Sequence, residues 1–309
     1  MGLFNSYLKE GPGVDKNAPK KHRFFLFFEL FFRKLGKLIQ LNVIYAITLL
    51  PLVVGLLLSL DINPAIMSDG VLITENLAKY PLIVFTGDIA GLILLVISII
   101  ITGPATAGFT YVIRNFQREE HAWVLSDFWD RFKNNFKQGV LMSLLDFAAA
   151  IVFYIAIVFY VFMAKDLVPQ IAPAVPYLTA TICIFAVIYV WMHYYIYLLM
   201  VTFKLKFMHI LKNAFIFAFA KLPLNILISV IVFAIVYFSL YNVFLCAIAS
   251  FFILLSLIGY IIIFSVYPTV DKYLLKPAQQ INNVDISEYN EGNEDVDISA
   301  DNEGNENND

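Results

Sequence analysis

Charge is scarce in this chain. Only 15% of its 309 residues are Asp, Glu, Lys or Arg, while 60% are hydrophobic, more apolar surface than a water-soluble core could bury. Cysteine is nearly absent. Cys183 and Cys246 stand in separate apolar runs with neither pairing nor ligand spacing, so a disulfide framework is excluded and both read as reduced packing residues. Catalytic motifs are missing too: there is no phosphate-binding Gly-rich loop ending in Lys-Ser/Thr, no dinucleotide fingerprint, no Gly-x-Ser-x-Gly elbow and no paired Cys or His at zinc spacing. The chain therefore shows no visible means of hydrolysing ATP, and no aqueous segment is large enough for a conventional active site. An enzyme is not expected, nor a cofactor, a bound metal or a nucleic-acid partner.

What the chain does have is long apolar runs. Residues 38–60, 82–103, 140–163, 177–201, 222–241 and 244–266 each supply the roughly 20 apolar residues that a helix needs to cross about 30 Å of hydrocarbon. No water is available there to satisfy backbone groups, so helix is the spanning form for runs this long. The expected fold is an all-α polytopic membrane helix bundle of about six transmembrane helices, multi-pass in a cell membrane, with interfacial amphipathic helices. Its first partner is the lipid bilayer itself.

Basic residues set the orientation. With a cytoplasmic amino terminus, 19 of the 21 Lys and Arg fall in inner segments, and only Lys79 and Lys165 fall outside. Translocating Lys and Arg is unfavourable, so this asymmetry predicts that both termini are cytoplasmic. Roughly 23 polar and basic residues precede a first apolar run of full span length with no cleavage pattern after it, so a signal peptide is not expected.

Three parts follow: a polar segment over 1–23, a membrane domain over 24–276 and an acidic tail over 277–309. The tail holds ten acidic and no basic residues, leaving 21 basic against 14 acidic side chains elsewhere, a net of +7 suited to an anionic inner leaflet. Residues 284–295 and 296–307 are a twelve-residue duplication with nine identities. Its composition predicts a disordered, solubilising tail, not a calcium loop.

Interfacial segments recur before the odd-numbered spans. Residues 24–37 mix Phe with basic groups as a helix in the headgroup region does, leading into span one. Over Ser126–Gln138, Ser126 or Asp127 can cap a helix whose Phe128, Phe132 and Phe136 repeat every four residues, with Arg131, Lys133 and Lys137 on other faces. This helix is a candidate cytoplasmic docking surface. A weaker copy lies at Phe207–Lys221, and the pattern fits either an internal repeat of three hairpins or convergent anchoring. The cluster Glu119-Glu120-His121 reads as a solvated turn, since adjacent helical residues point apart and no further ligand lies nearby.

Span two is ambiguous. No basic residue occurs from Pro81 to Ile113, and Gly103-Pro104-Ala105-Thr106-Ala107-Gly108 lies inside this stretch. Pro104 removes a helix donor and crowds the preceding turn, so Gly103 and Pro104 mark a candidate helix break. Either the chain crosses at 82–103 and then follows the inner surface, or it crosses lower, at about 90–113, with the break inside the membrane.

Ionisable groups inside the spans are Asp88, Asp146 and His193. Such groups are costly in hydrocarbon unless paired or wet, which makes them candidate sites. At 1.5 Å per residue, Asp146 lies about 9 Å and His193 about 12 Å from the inner ends of their spans, so the two can meet. A pair there locks two helices or serves a proton-coupled transport site. Asp88 falls near the outer boundary in the lower register, where it can cap a helix. The aromatic run Tyr189–Tyr197 around His193 suits interfacial packing more than sugar stacking.

The run Ile101–Gly108, then Tyr111-Val112-Ile113-Arg114-Asn115, Arg118–Trp123 and Ser126-Asp127-Phe128-Trp129, resembles the signature of the YesL family of bacterial membrane proteins. Phe31–Asn42 is similar to that family's opening, and the resemblance covers roughly residues 10–276. Additional sequence between Pro51 and Ile101 departs from the family pattern. The resemblance implies an uncharacterised membrane domain typical of Gram-positive bacteria, often encoded beside carbohydrate uptake systems and polysaccharide-degrading enzymes. It carries no catalytic residues. Two functions remain: a non-catalytic accessory that contacts carbohydrate permease subunits or itself, and a secondary transporter or channel built on Asp146 and His193.

Overall fold

The computed structural model describes residues 22–59, 89–164 and 168–277. Among them, six helices are long and apolar enough to cross a membrane, and no strand occurs, so the chain is an all-α polytopic bundle. The elements are α1 (Arg23–Ser59), α2 (Ile89–Gln117), α3 (Val124–Asn134), α4 (Phe136–Val158), α5 (Val175–Thr202), α6 (Phe207–Ala220), α7 (Leu222–Leu240), α8 (Val243–Ala249) and α9 (Leu255–Val270). A π turn at Ser250–Leu254 joins α8 to α9 in one long span, and others extend α4 and α9. The prolines that open α5 and α7 stand in the first turn, where a missing donor leaves no helical bond unmade.

The interfacial segment 24–37 is not a separate helix. It is continuous with span one in α1, whose 37 residues reach about 55 Å, well beyond the hydrocarbon thickness. Its aromatics explain the continuity, because Phe27 and Phe31 stack against Tyr260 of α9 and the Phe27 carbonyl accepts from the Tyr260 hydroxyl at 2.9 Å. Tertiary contacts thus hold the first turns onto the bundle.

Pro104 does not break α2 either. The helix runs unbroken from Ile89 to Gln117, close to the lower of the two expected registers but without the break expected at Gly103 and Pro104. A neighbouring helix supports the site: α4 crosses so closely that a Cβ added to Gly139 would stand 2.5 Å from the Pro104 nitrogen. Such lateral support is what allows proline inside membrane helices.

The amphipathic helix is shorter than expected and starts earlier. It ends at Asn134, and Asn135, with φ −103° and ψ 14°, separates it from α4. Phe136 and Lys137 therefore belong to α4, not to the docking helix. Neither Ser126 nor Asp127 stands at the N-cap, which is Trp123. The Asp127 carboxylate instead accepts from the Trp123 backbone N–H at 3.0 Å.

α2 is the central helix, packed against α1, α3, α4, α5 and α9. Its Ala105, Val112, Ile113 and Phe116 are fully buried, against Leu38 and Leu41 of α1 and Tyr195, Leu198 and Leu199 of α5 in the same core. The perimeter is apolar and open: Val152 of α4 and Phe233 and Phe238 of α7 are largely exposed, as side chains facing lipid are.

Successive long helices run antiparallel. Arg23 donates to the Phe264 carbonyl, Arg33 pairs with Glu119, Lys37 donates to the Ala122 carbonyl, and Gln138 donates to the Leu205 carbonyl. These contacts bring the start of α1, the end of α9 and the connections after α2 and α5 to one end of the bundle. The basic side chains of those segments gather there.

Candidate functional site

The structure brings Asp146 and His193 together. His193 Nε2 lies 2.8 Å from Asp146 Oδ1, and the Tyr189 hydroxyl donates to the same oxygen at 2.6 Å. Helical spacing explains the grouping, since Tyr189, His193 and Tyr197 recur every four residues on one face of α5. Tyr45 of α1, hydrogen-bonded to Thr106 of α2 at 2.8 Å, extends the polar cluster towards the centre.

The proton count at this pair follows from its geometry. His193 Nδ1 lies 2.9 Å from the Tyr189 carbonyl oxygen, an obligate acceptor, so Nδ1 carries hydrogen. One further proton lies between Nε2 and Oδ1, giving either imidazolium with carboxylate or imidazole with carboxylic acid. The pair is neutral overall in both forms, which lowers its cost inside hydrocarbon. The side chains of His193 and Asp146 retain 27% and 32% exposure.

Gly103 and Pro104 form a helix crossing. A Cβ added to Gly103 would meet the Gly139 carbonyl oxygen at 1.9 Å and Ser143 Oγ at 2.4 Å, so α2 and α4 touch backbone to backbone. Small residues at membrane helix contacts permit such approach. Gly108 repeats the device, because its added Cβ would stand 2.5 Å from the Phe128 carbonyl of α3. The Gly-Pro-Ala-Thr-Ala-Gly run is thus the seat for two neighbours. Asp88, the third candidate ionisable group, lies outside the described residues.

The amphipathic helix α3 divides its residues. Phe128 is wholly buried against α2 and is no docking residue, and Phe132 packs at the edge of the same core. Arg131 lies over the Tyr111 ring at 4.1 Å and donates to its hydroxyl at 3.1 Å. Lys133, Phe136 and Lys137 remain exposed, with Trp123, Leu125 and Trp129. The acidic turn after α2 is tied down: Glu119 pairs with Arg33, Glu120 with Arg118 at 2.8 Å, and His121 packs on Trp123. Glu119 takes φ 58°, and the Glu119 and Glu120 N–H groups bond back to the Phe116 and Asn115 carbonyls, closing the helix.

One feature escaped the sequence reading. Arg114, only 7% exposed, donates to the Val201 carbonyl at 2.9 Å and to Asn115 Oδ1 at 3.1 Å, and lies 4.5 Å from the centre of the Tyr111 ring. It lines a cavity of about 930 Å³ at the basic end, between α2, α3, α4 and the end of α5. The available signal was that Arg114 is the first basic residue after the long uncharged stretch of span two.

Residues 77–157 match a family described as a protein of unknown function, DUF624, of which YesL is a member. Within the described residues the matched segment is α2, α3 and most of α4, the part that holds the Gly103–Gly139 crossing, Tyr111, Arg114 and Asp146. No match was found among curated proteins or solved structures.

Proposed function

We propose that the protein is a non-catalytic accessory of a carbohydrate uptake system in a bacterial cell membrane, with Asp146 and His193 as a lock between α4 and α5. The observation that carries the lock is that one oxygen of Asp146 on α4 takes two side chains of α5. That oxygen, Oδ1, receives both the Tyr189 hydroxyl and His193 Nε2. The cavity lined by Arg114 and Arg131 includes neither Asp146 nor His193. Carbohydrate uptake rests on the resemblance to the YesL family alone. Lys133, Phe136 and Lys137 offer an exposed basic and aromatic surface for a permease subunit or a second copy of the chain.

The test is affinity purification of the full chain in mild detergent from its native host grown on a complex polysaccharide, with an unrelated membrane protein as control. Stoichiometric recovery of carbohydrate-permease subunits supports the accessory role; recovery of the protein alone or only with itself removes its main support.

One observation favours transport instead. The single proton held between His193 and Asp146, with both side chains about a third exposed, has the composition of a proton-coupled site. Proton-coupled substrate flux in proteoliposomes that disappears in Asp146→Asn while the protein stays folded would establish it.

A further inference from the structure

We propose that the basic cavity at the end of the bundle is a binding site for a phosphate-bearing anion. Six cationic side chains line it: Arg114, Arg118, Arg131, Lys133, Lys137 and Lys204. Among the described residues, no carboxylate lines it. Arg118 alone of the six has an acidic partner among the described residues, Glu120 at 2.8 Å.

Arg114 is the centre of the site. Burying a guanidinium is unfavourable unless an opposite charge accompanies it. Arg114 is 7% exposed, its hydrogen bonds go to neutral oxygens, and its Nε is buried with no partner. Arg131 brings a second guanidinium onto the same aromatic ring, with 4.5 Å and 4.1 Å separating the two charges from the Tyr111 centroid. Two guanidiniums on one tyrosine repel each other, and an anion between or beside them offsets that repulsion. Forked Arg donors match the tetrahedral oxygens of phosphate, and the flexible lysines at the rim supply point charges around it.

The setting fits a phosphate from either of two sources. Exposed Trp129 of α3, and Trp123 just before that helix, are residues of the kind that sit at the depth of lipid headgroups. Basic pockets between membrane helices hold phospholipid headgroups at that level. The cavity is also open enough to admit a soluble phosphate compound. The inference is separate from the helix lock, since it uses neither Asp146 nor His193 and needs no protein partner, although its rim shares Lys133 and Lys137 with the surface proposed for a permease subunit.

The full chain, purified in neutral maltoside detergent and stripped of lipid, is heated with phosphatidylglycerol, with phosphatidylcholine or with inorganic pyrophosphate, at ionic strength matched by sodium chloride. Phosphatidylglycerol raising the unfolding midpoint, with phosphatidylcholine inert, is the expected result for a headgroup. A rise with pyrophosphate assigns a soluble phosphate source. In either case the combined Lys133→Gln, Lys137→Gln and Lys204→Gln variant, all exposed positions that leave the fold intact, shifts half-saturation to about tenfold or more higher ligand. Arg131→Gln shifts it in the same direction. No rise beyond the sodium chloride and phosphatidylcholine controls overturns the proposal, as does an unchanged half-saturation in both variants.

Discussion

Asn42 shows how one polar side chain can hold a membrane bundle together. Fully buried in α1, its amide nitrogen donates to the Ser250 and Phe251 carbonyls at 2.7 and 2.8 Å, and its oxygen accepts from the Ser256 backbone N–H at 2.7 Å. Those groups belong to the π turn and its exit, where the widened helix leaves backbone partners displaced. In hydrocarbon each such group would otherwise go unsatisfied. Asn42→Leu is therefore expected to destabilise the protein by about 2 kcal/mol, read as a lowered unfolding midpoint in detergent. An unchanged midpoint would mean that the π turn needs no partner. Asn225 plays a related part, accepting from Tyr195 at 2.8 Å and donating to the Ala218 carbonyl at the end of α6. None of this was legible in the sequence, because neither Asn has local spacing to announce it and their partners lie in distant segments.

Elements were easier to foresee than their ends. Apolar length is a local property, so six spans could be read directly, and depth counting brought Asp146 and His193 within reach of each other. That residues 24–37 lead into span one could be read, but not that a single unbroken helix carries both, which depends on Phe27 and Phe31 meeting α9. The fate of Pro104 likewise depends on α4, a separate helix. At that crossing, Gly103→Ala would place a methyl group against the Gly139 carbonyl and force two backbones apart. The expected loss is about 2 kcal/mol or more, with Gly139→Ala costing a similar amount and the double variant less than the sum, because one separation of the helices relieves both. Chemical or thermal unfolding of the three variants checks this, and strict additivity would count against the shared contact.

For the whole molecule, an even number of crossings puts the start of α1 and the end of α9 at one end, and the excess of basic residues there predicts that this end is cytoplasmic. In a chain with Cys183 and Cys246 replaced, Lys204→Cys is expected to react with a membrane-impermeant thiol reagent only after the cell is opened. Tyr241→Cys, at the exposed turn between α7 and α8, is expected to react in intact cells. The reverse pattern would invert the molecule. The central claim is that the Asp146–His193 pair locks α4 to α5. A double-mutant cycle on unfolding free energy tests it most directly, using Asp146→Ala, His193→Ala and both together in the same detergent. A coupling of about 1 kcal/mol is predicted, in the range of hydrogen-bonded pairs between membrane helices. Additive effects, with no coupling between the two positions, would contradict the lock.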